Sequence, residues 1–319
     1  MATEHHIRNP IEWGLDELKA GTHALERVGQ GLSHHEDAGA MPAVARIQVA
    51  DLWDAIRKGL SDLGTSRSDV IFLCAVYPVA GVVLALLAAG EDTLWLVFPL
   101  VSGFALIGPV AAVGLYEISR RREAGLEINW SNMFGVVHAR GFPSIVALSL
   151  VLCGLFVAWL AAAYVVYLIT LGPESPASIW TFASDVFTTG AGWAMIVLGM
   201  GVGFAFAVVA LAISVVSVPL MLDRDVGVTA AVKTSIRAVK LNLRPLAVWG
   251  FVVAAGLVLG SLPALIGLII VLPVLGHSTW HLYRKLVPRP DSPRPDSPRP
   301  DSPRPDSPRA ASPGTRTTA

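Results

Sequence analysis

FPLVSGFALIGPVAAVGLYEISRRRE, Phe98 to Glu123, sets the reading of the chain around it. The run is apolar for about the 20 residues that a helix needs to cross the hydrocarbon core of a bilayer. It carries two prolines, Pro99 and Pro109, admits Glu117, and stops at Arg120, Arg121 and Arg122. A membrane helix that ends at the headgroup level accounts for the arginines, which mark the cytoplasmic side of a span. Glu117 then lies within about one turn of water.

The rest of the composition agrees. Of 319 residues, 53% are hydrophobic and 15% charged, with mean hydropathy +0.58; ordinary soluble domains carry about 25% charge. Formal net charge is zero, which gives no basis for nucleic acid as a partner. Cys74 and Cys153 both fall in apolar runs, where buried, reduced core residues are expected. Residues 1–47 are polar and show no signal-peptide pattern, so insertion is expected to use the first membrane helix itself.

Runs of spanning length are Val70–Gly90, Leu94–Ile118, Ile145–Leu171 and Gly192–Leu222. Pro245 to Trp280 is too long for one helix and is interrupted at Gly260-Ser261-Leu262-Pro263, so it reads as a hairpin of Pro245–Gly260 and Pro263–His281. The fold class expected is an all-α, six-span bundle with both termini on one side. Arg57, Lys58 and Arg67 precede span one. Arg120, Arg121, Arg122 and Arg140 lie between spans two and three, Arg224, Lys233, Arg237, Lys240 and Arg244 between four and five, and Arg284 and Lys285 after six. The opposite loops hold Glu91, Asp92, Glu174 and Asp185 and no Lys or Arg. This asymmetry places both termini in the cytoplasm.

An internal repeat is visible. Asp51–Leu63, DLWDAIRKGLSDL, puts Leu52, Ile56, Leu60 and Leu63 on one helical face; Val228–Val239, VTAAVKTSIRAV, does the same with Val228, Val232, Ile236 and Val239. Trp130–Phe142, WSNMFGVVHARGF, matches more weakly through Met133, Phe134 and Val137. Each segment precedes an odd-numbered span, as a cytoplasmic interfacial helix would. The even spans end alike: Pro109, Glu117 and Arg120 match Pro273, His281 and Arg284 in spacing, with a shorter version in Pro219, Asp223 and Arg224. Three parallel two-helix units about an axis along the membrane normal are therefore expected, with kinks at Pro109, Pro219 and Pro273.

FPLVSGFALIGPVAAVGLYEISRRRE, TTGAGWAMIVLG, SVPLMLDRDVGVTAAVKTSIRAV and LPVLGHSTWHLYRK together resemble the bacterial predicted integral membrane proteins grouped as domain of unknown function 2189. The similarity runs from about Ile47 to Val287. It implies a multi-pass inner-membrane protein and no reaction, substrate, cofactor or catalytic residue.

The expected organisation is an N-terminal amphipathic helix and linker over residues 1–46, a membrane domain over 47–287, and a disordered tail over 288–319. Asn9–Gly29 carries a stripe of Ile11, Leu15, Leu18, Thr22 and Leu25 behind a cap at Asn9-Pro10. The tail repeats PRPDS, reading as a polyproline-biased spacer or a proline-motif ligand. The outer loop Gly172–Gly190 offers Ile179, Trp180, Phe182, Val186 and Phe187 for a short interfacial helix.

No HExxH, GxSxG or Walker-type motif is present, and no enzyme, metal or cofactor is expected. His5-His6 and His34-His35-Glu36-Asp37 lie in polar segments without a supporting scaffold. Gly199/Gly203 and Gly256/Gly260 have the spacing that lets membrane helices approach closely. Ionisable residues near membrane depth are the functional candidates: Glu117, Asp223, His277 and His281, with Arg120, Arg224 and Arg284 beside them. They either line a vestibule where the three repeats converge or cap the helix ends at the interface. The leading functional expectation is a non-enzymatic accessory, scaffolding or membrane-organising protein whose partners are membrane lipids and other membrane proteins. A small-solute transporter or channel is the alternative, and a headgroup-modifying enzyme a distant third.

Overall fold

The computed structural model describes residues 41–65, 75–87, 94–126, 135–137, 139–172, 177–263 and 265–289. The helix expected over residues 9–29 and the tail from residue 290 lie outside them. Among the described residues the fold is all helical: α1 Val49–Thr65, α2 Val76–Leu87, α3 Leu94–Ala111, α4 Val113–Glu123, α5 Phe142–Thr170, α6 Ile179–Thr188, α7 Gly190–Ser214, α8 Ser217–Asp223, α9 Val228–Leu241, α10 Leu243–Ser261 and α11 Leu268–Leu286.

Among the described residues, four stretches are long and apolar enough to cross a membrane: Trp95–Glu123, Phe142–Thr170, Gly190–Asp223 and Leu243–Ser261. Only 6% of the most apolar window of Gly190–Asp223 is buried in the protein, so that surface requires lipid around it. Leu150, Val151, Val157 and Ile169 of α5 and Val197, Met200 and Phe204 of α7 form such outward faces. Cys153 belongs to this exposed surface of α5, which corrects the expectation that it is buried. The apolar run indicated a helix of spanning length but not which side of the helix meets protein.

The expected first and sixth spans do not reach this standard among the described residues. The described part of the first, α2, has 12 residues. The sixth, α11, starts at Leu268 rather than Pro263, and polar and aromatic side chains occupy its second half. The hairpin itself forms. A Cβ on Gly256 would stand 3.3 Å from Val271, and one on Gly260 2.9 Å from Leu268, so both glycines let α10 and α11 approach closely. The other pair divides. A Cβ on Gly203 would meet the Trp159 ring at 3.1 Å, whereas Gly199 faces open space.

Proline explains two helix breaks. Pro109 lies in the last turn of α3, and the chain turns at Ala112 (φ −78°, ψ −3°) before α4. Pro219 lies just inside α8; the Val216 N–H, released from the helical ladder, is donated to Ser235 Oγ at 3.2 Å. Pro273 departs from expectation, because α11 runs through it without a break.

At the charged end, α1 lies along α11 and packs on α10. Asp51 caps α1 by accepting from the Gln48 N–H at 2.8 Å. The segment before it is anchored as well. Asn242 accepts from Ile47 N–H at 2.8 Å and donates to the Ala45 carbonyl at 3.0 Å, and Ala45 N–H donates to Leu286 O at 2.8 Å.

The face of α1 that meets α11 is Leu52, Ala55, Gly59 and Asp62, all buried. Leu60, expected on that face, is 50% exposed, as is Trp53 at 61%. Small residues let the two helix backbones come close, and this outweighs burial of one more leucine. Of the weaker segment Trp130–Phe142, the described part forms a short 3₁₀ turn at residues 135–137 and then enters α5, with no α-helix before Phe142. At the opposite end, α6 forms where an interfacial helix was expected; Ser178 caps it, Val186 is buried, and Trp180 is 83% exposed. Trp95, Tyr164, Tyr167 and Phe182 cluster there, with ring centroids 4.8–6.5 Å apart along the chain of contacts, as an aromatic belt would.

Candidate functional site at the charged end of the bundle

α4, α8 and α11 pack on one another at the charged end, and α1 closes the side of α11. The aromatic and aliphatic floor is fully buried: Trp280, Leu282, Tyr283 and Leu286 of α11, with Leu115 and Ile118 of α4 and Leu220 of α8. Burial of each large side chain is worth about 1.5–3 kcal/mol, so the polar residues above are held by a rigid base.

Asp62 of α1 is the centre of one polar group. It accepts from Ser119 Oγ at 2.7 Å and from His281 Nε2 at 2.9 Å, and it pairs with Arg122 Nη1 at 3.3 Å. Ser119 Oγ also lies 2.8 Å from His277 Nδ1. Because the Ser119 proton goes to the carboxylate, Nδ1–H of His277 donates to the Ser119 oxygen. The other ring nitrogen, Nε2, is buried beside α4, with the Leu115 backbone as its polar neighbour. Burial alone would raise the Asp62 carboxyl, but hydrogen bonds from His281 and Ser119 outweigh it and hold the group below its ordinary value.

A second group surrounds Asp223 and Glu123. Asp223 accepts from Tyr283 Oη at 2.7 Å and from Arg284 Nη1 at 2.8 Å. Arg284 Nε donates to Glu123 at 2.9 Å, and its guanidinium stacks 5.4 Å from the Trp280 ring centroid. Trp280 Nε1 also donates to Glu123, at 3.1 Å. Arg224 lies 3.7 Å from Asp223 and donates to the Pro288 carbonyl at 2.8 Å. A third group is local: Glu117 accepts from both Nε and Nη2 of Arg120, at 2.7 and 2.8 Å, and from Arg121 Nε at 2.8 Å. Lys285 joins α11 to α1 through Asp51 and Asp54, both at 2.9 Å. Asp54 is held below its ordinary value chiefly by that Lys285 hydrogen bond.

The candidates read from sequence are thus only partly brought together. Asp223, Arg224 and Arg284 meet directly, and His277 and His281 meet through Ser119 and Asp62. Glu117 and Arg120 pair with each other on α4, the interfacial-capping alternative. Asp62, Glu123, Ser119 and Tyr283 were missed. The available signal for Asp62 was its place on the small-residue stripe Ala55-Gly59-Asp62, one position round from the stripe of large apolar residues.

Between α1, α4 and α11 lies a pocket of about 480 Å³, lined by Lys58, Asp62, Ser119, Arg122, Glu123, His281, Arg284 and Lys285. Ser, His and Asp side chains occur together here, but Ser119 is fully buried and its proton is committed to Asp62. A hydrolytic nucleophile needs an exposed hydroxyl hydrogen-bonded to an imidazole base; the contacts of Ser119 instead lock helices together. Among the described residues no group of three or more His, Cys, Asp or Glu side chains is arranged to hold a metal ion.

Long lipid-facing helices with a charged plug at one end are the pattern of a membrane protein, and one comparison finds it. Residues 97–223 match the family model DUF2189, a predicted integral membrane protein. The DUF2189 match covers α3 to α8 apart from the first residues of α3, and so includes both proline breaks, Glu117, Glu123 and Asp223. It does not reach α1 or α11, although the resemblance read from sequence extended from about Ile47 to Val287. No curated protein and no solved structure matches the chain.

Proposed function

We propose that this chain is a non-enzymatic, multi-pass protein of the bacterial inner membrane that acts as a scaffold or membrane organiser. Both termini lie in the cytoplasm, and the chain crosses six times as three parallel two-helix units. One observation carries the functional reading: the carboxylates Asp51, Asp62, Glu123 and Asp223 at the charged end are each paired across α1, α4, α8 and α11. A network of that kind ties helices together; a solute path needs polar groups free to exchange partners and polar contacts near the midplane.

Two features support the repeat. Ala55, Gly59 and Asp62 of α1 and Ala231, Ser235 and Ala238 of α9 are buried at identical spacing. Each helix also packs on the end of a different unit, α1 on α11 and α9 on α7 and α8. The approach of α10 and α11 through Gly256 and Gly260 fits one further crossing, by α11, beside the α10 span. The cation asymmetry supports the orientation.

The pocket of about 480 Å³ favours a second reading, a transporter or channel with a cytoplasmic vestibule. Reconstitution separates the two. On the scaffold reading, proteoliposomes carrying the protein show no solute flux above empty liposomes, and crosslinking in native membranes captures the same neighbours repeatedly. A flux that falls in Glu117→Ala or Asp223→Ala replaces this reading with the transporter.

A further inference from the structure

The pocket between α1, α4 and α11 has a charge pattern that helix locking alone does not require. Four cations line it, Lys58, Arg122, Arg284 and Lys285, against two carboxylates, Asp62 and Glu123. The carboxylates are already engaged, Asp62 by His281 and Ser119 and Glu123 by Arg284 and Trp280. The cations are paired too, Arg122 with Asp62 and the Ser61 carbonyl and Lys285 with Asp51 and Asp54, yet two of the four keep donors in reserve. Arg284 is oriented by Glu123, Asp223 and the Trp280 ring, yet its Nη2 is buried with no acceptor among the described residues. Among the described residues Lys58 pairs with Asp54 on its own helix, at 3.2 Å, and is 55% exposed; an exposed pair of that kind is weak enough to exchange.

We propose that this pocket binds a phosphate group, carried either on a lipid headgroup or on a soluble phosphate ester. The donors enter from three helices, and a tetrahedral group with several acceptor oxygens can meet them together, as a planar carboxylate cannot. Guanidinium forks fixed in advance by carboxylates and an aromatic face suit this geometry. A volume of about 480 Å³ accommodates a glycerophosphate-sized group. The site lies where the apolar stretch Trp95–Glu123 ends in arginines, so a headgroup phosphate can approach from the side and a soluble ester from the open face. The proposal goes beyond the scaffold reading and does not depend on it.

The test uses the full chain in neutral detergent with two probes: inorganic phosphate, and mixed micelles containing phosphatidylglycerol, with phosphatidylcholine micelles as reference. Two readouts are taken, the thermal midpoint and the rate of amine acylation at Lys58 and Lys285. Binding raises the midpoint and slows acylation of both lysines. Phosphate acting alone identifies the soluble source, and phosphatidylglycerol acting without phosphate identifies the lipid. Lys58→Gln combined with Arg122→Gln should weaken binding by about tenfold or more, since charge-assisted contacts are removed. Arg140→Gln, on an exposed cation outside the pocket, should change it less than about twofold, as a single screened surface charge does. If the double variant does not fold, Lys58→Gln alone and acylation of the native chain decide the matter. Absence of any shift or protection with both probes overturns the proposal, as does an equal loss in the pocket variant and Arg140→Gln.

Discussion

Replacing Gly59 with alanine tests the contact that joins the two ends of the fold. A Cβ at this position would stand 2.7 Å from the backbone N of Ser278 and 3.0 Å from its Cα, and would collide with its Oγ. The hydroxyl can rotate away; the backbone atoms cannot. Ordinary carbon contacts need about 3.5–4 Å, so α1 must move off α11 by roughly 1 Å. Overpacking of this kind costs about 1–3 kcal/mol, against a helix-propensity gain of about 1 kcal/mol for Gly→Ala. The same displacement would stretch the Asp62 contacts, one turn further on, from 2.7 and 2.9 Å to beyond hydrogen-bonding distance. Loss of one charged hydrogen bond adds about 1.5–3 kcal/mol, for a net destabilisation of roughly 2–4 kcal/mol. Gly64, on the same helix, has nothing within 4 Å of its Cβ position, so Gly64→Ala should be neutral or stabilising by up to about 1 kcal/mol. In thermal unfolding followed in detergent, Gly59→Ala should lower the midpoint by roughly 5–10 °C, with Gly64→Ala at or above wild type. If the two variants unfold together at the wild-type midpoint, α1 does not lie on α11 and the site built on that contact is wrong.

Asp62 should give a pH signature. Its folded pKa is lowered, so its stabilisation is complete above the unfolded value near ~3.9 and is lost as pH falls through the folded value below it. The wild-type thermal midpoint should therefore drop more steeply across this acid range than that of Asp62→Asn, which at neutral pH should already be less stable by about 2–3 kcal/mol. Arg284→Lys keeps the charge but cannot bridge Glu123 and Asp223 at once. It should destabilise by about 2 kcal/mol while leaving helix content by far-UV circular dichroism unchanged.

The membrane class was readable from Phe98–Glu123 alone, because length, hydropathy and the terminal arginines all act locally along one helix. The breaks near Pro109 and Pro219 were also legible, since a missing N–H has a local consequence. Pro273 did not behave alike: no break accompanies it within α11, which is packed against both α1 and α10. What sequence reasoning could not reach was rotational position. Cys153 sits in an apolar run and faces outward, and Leu60 yields its expected place to Gly59 and Asp62. In a membrane helix apolar residues serve equally toward lipid and toward protein, so hydropathy does not say which face is inside. The site suffered most from this. Glu117 was conspicuous and, among the described residues, pairs with Arg120 and Arg121 of its own helix, whereas Asp62 looked like an ordinary surface acid and ties three helices together.

The pairing of α1 with α11 has a consequence for biosynthesis. Asp51 and Lys285 are 234 positions apart, so the first of these helices leaves the ribosome long before its partner exists. Until α11 emerges, Asp62 lacks His281, and the Ala55-Gly59 seam lies open. Closure of this seam therefore waits until α11 has been made, and a nascent chain arrested before Leu268 would leave the Ala55-Gly59 face without its partner helix.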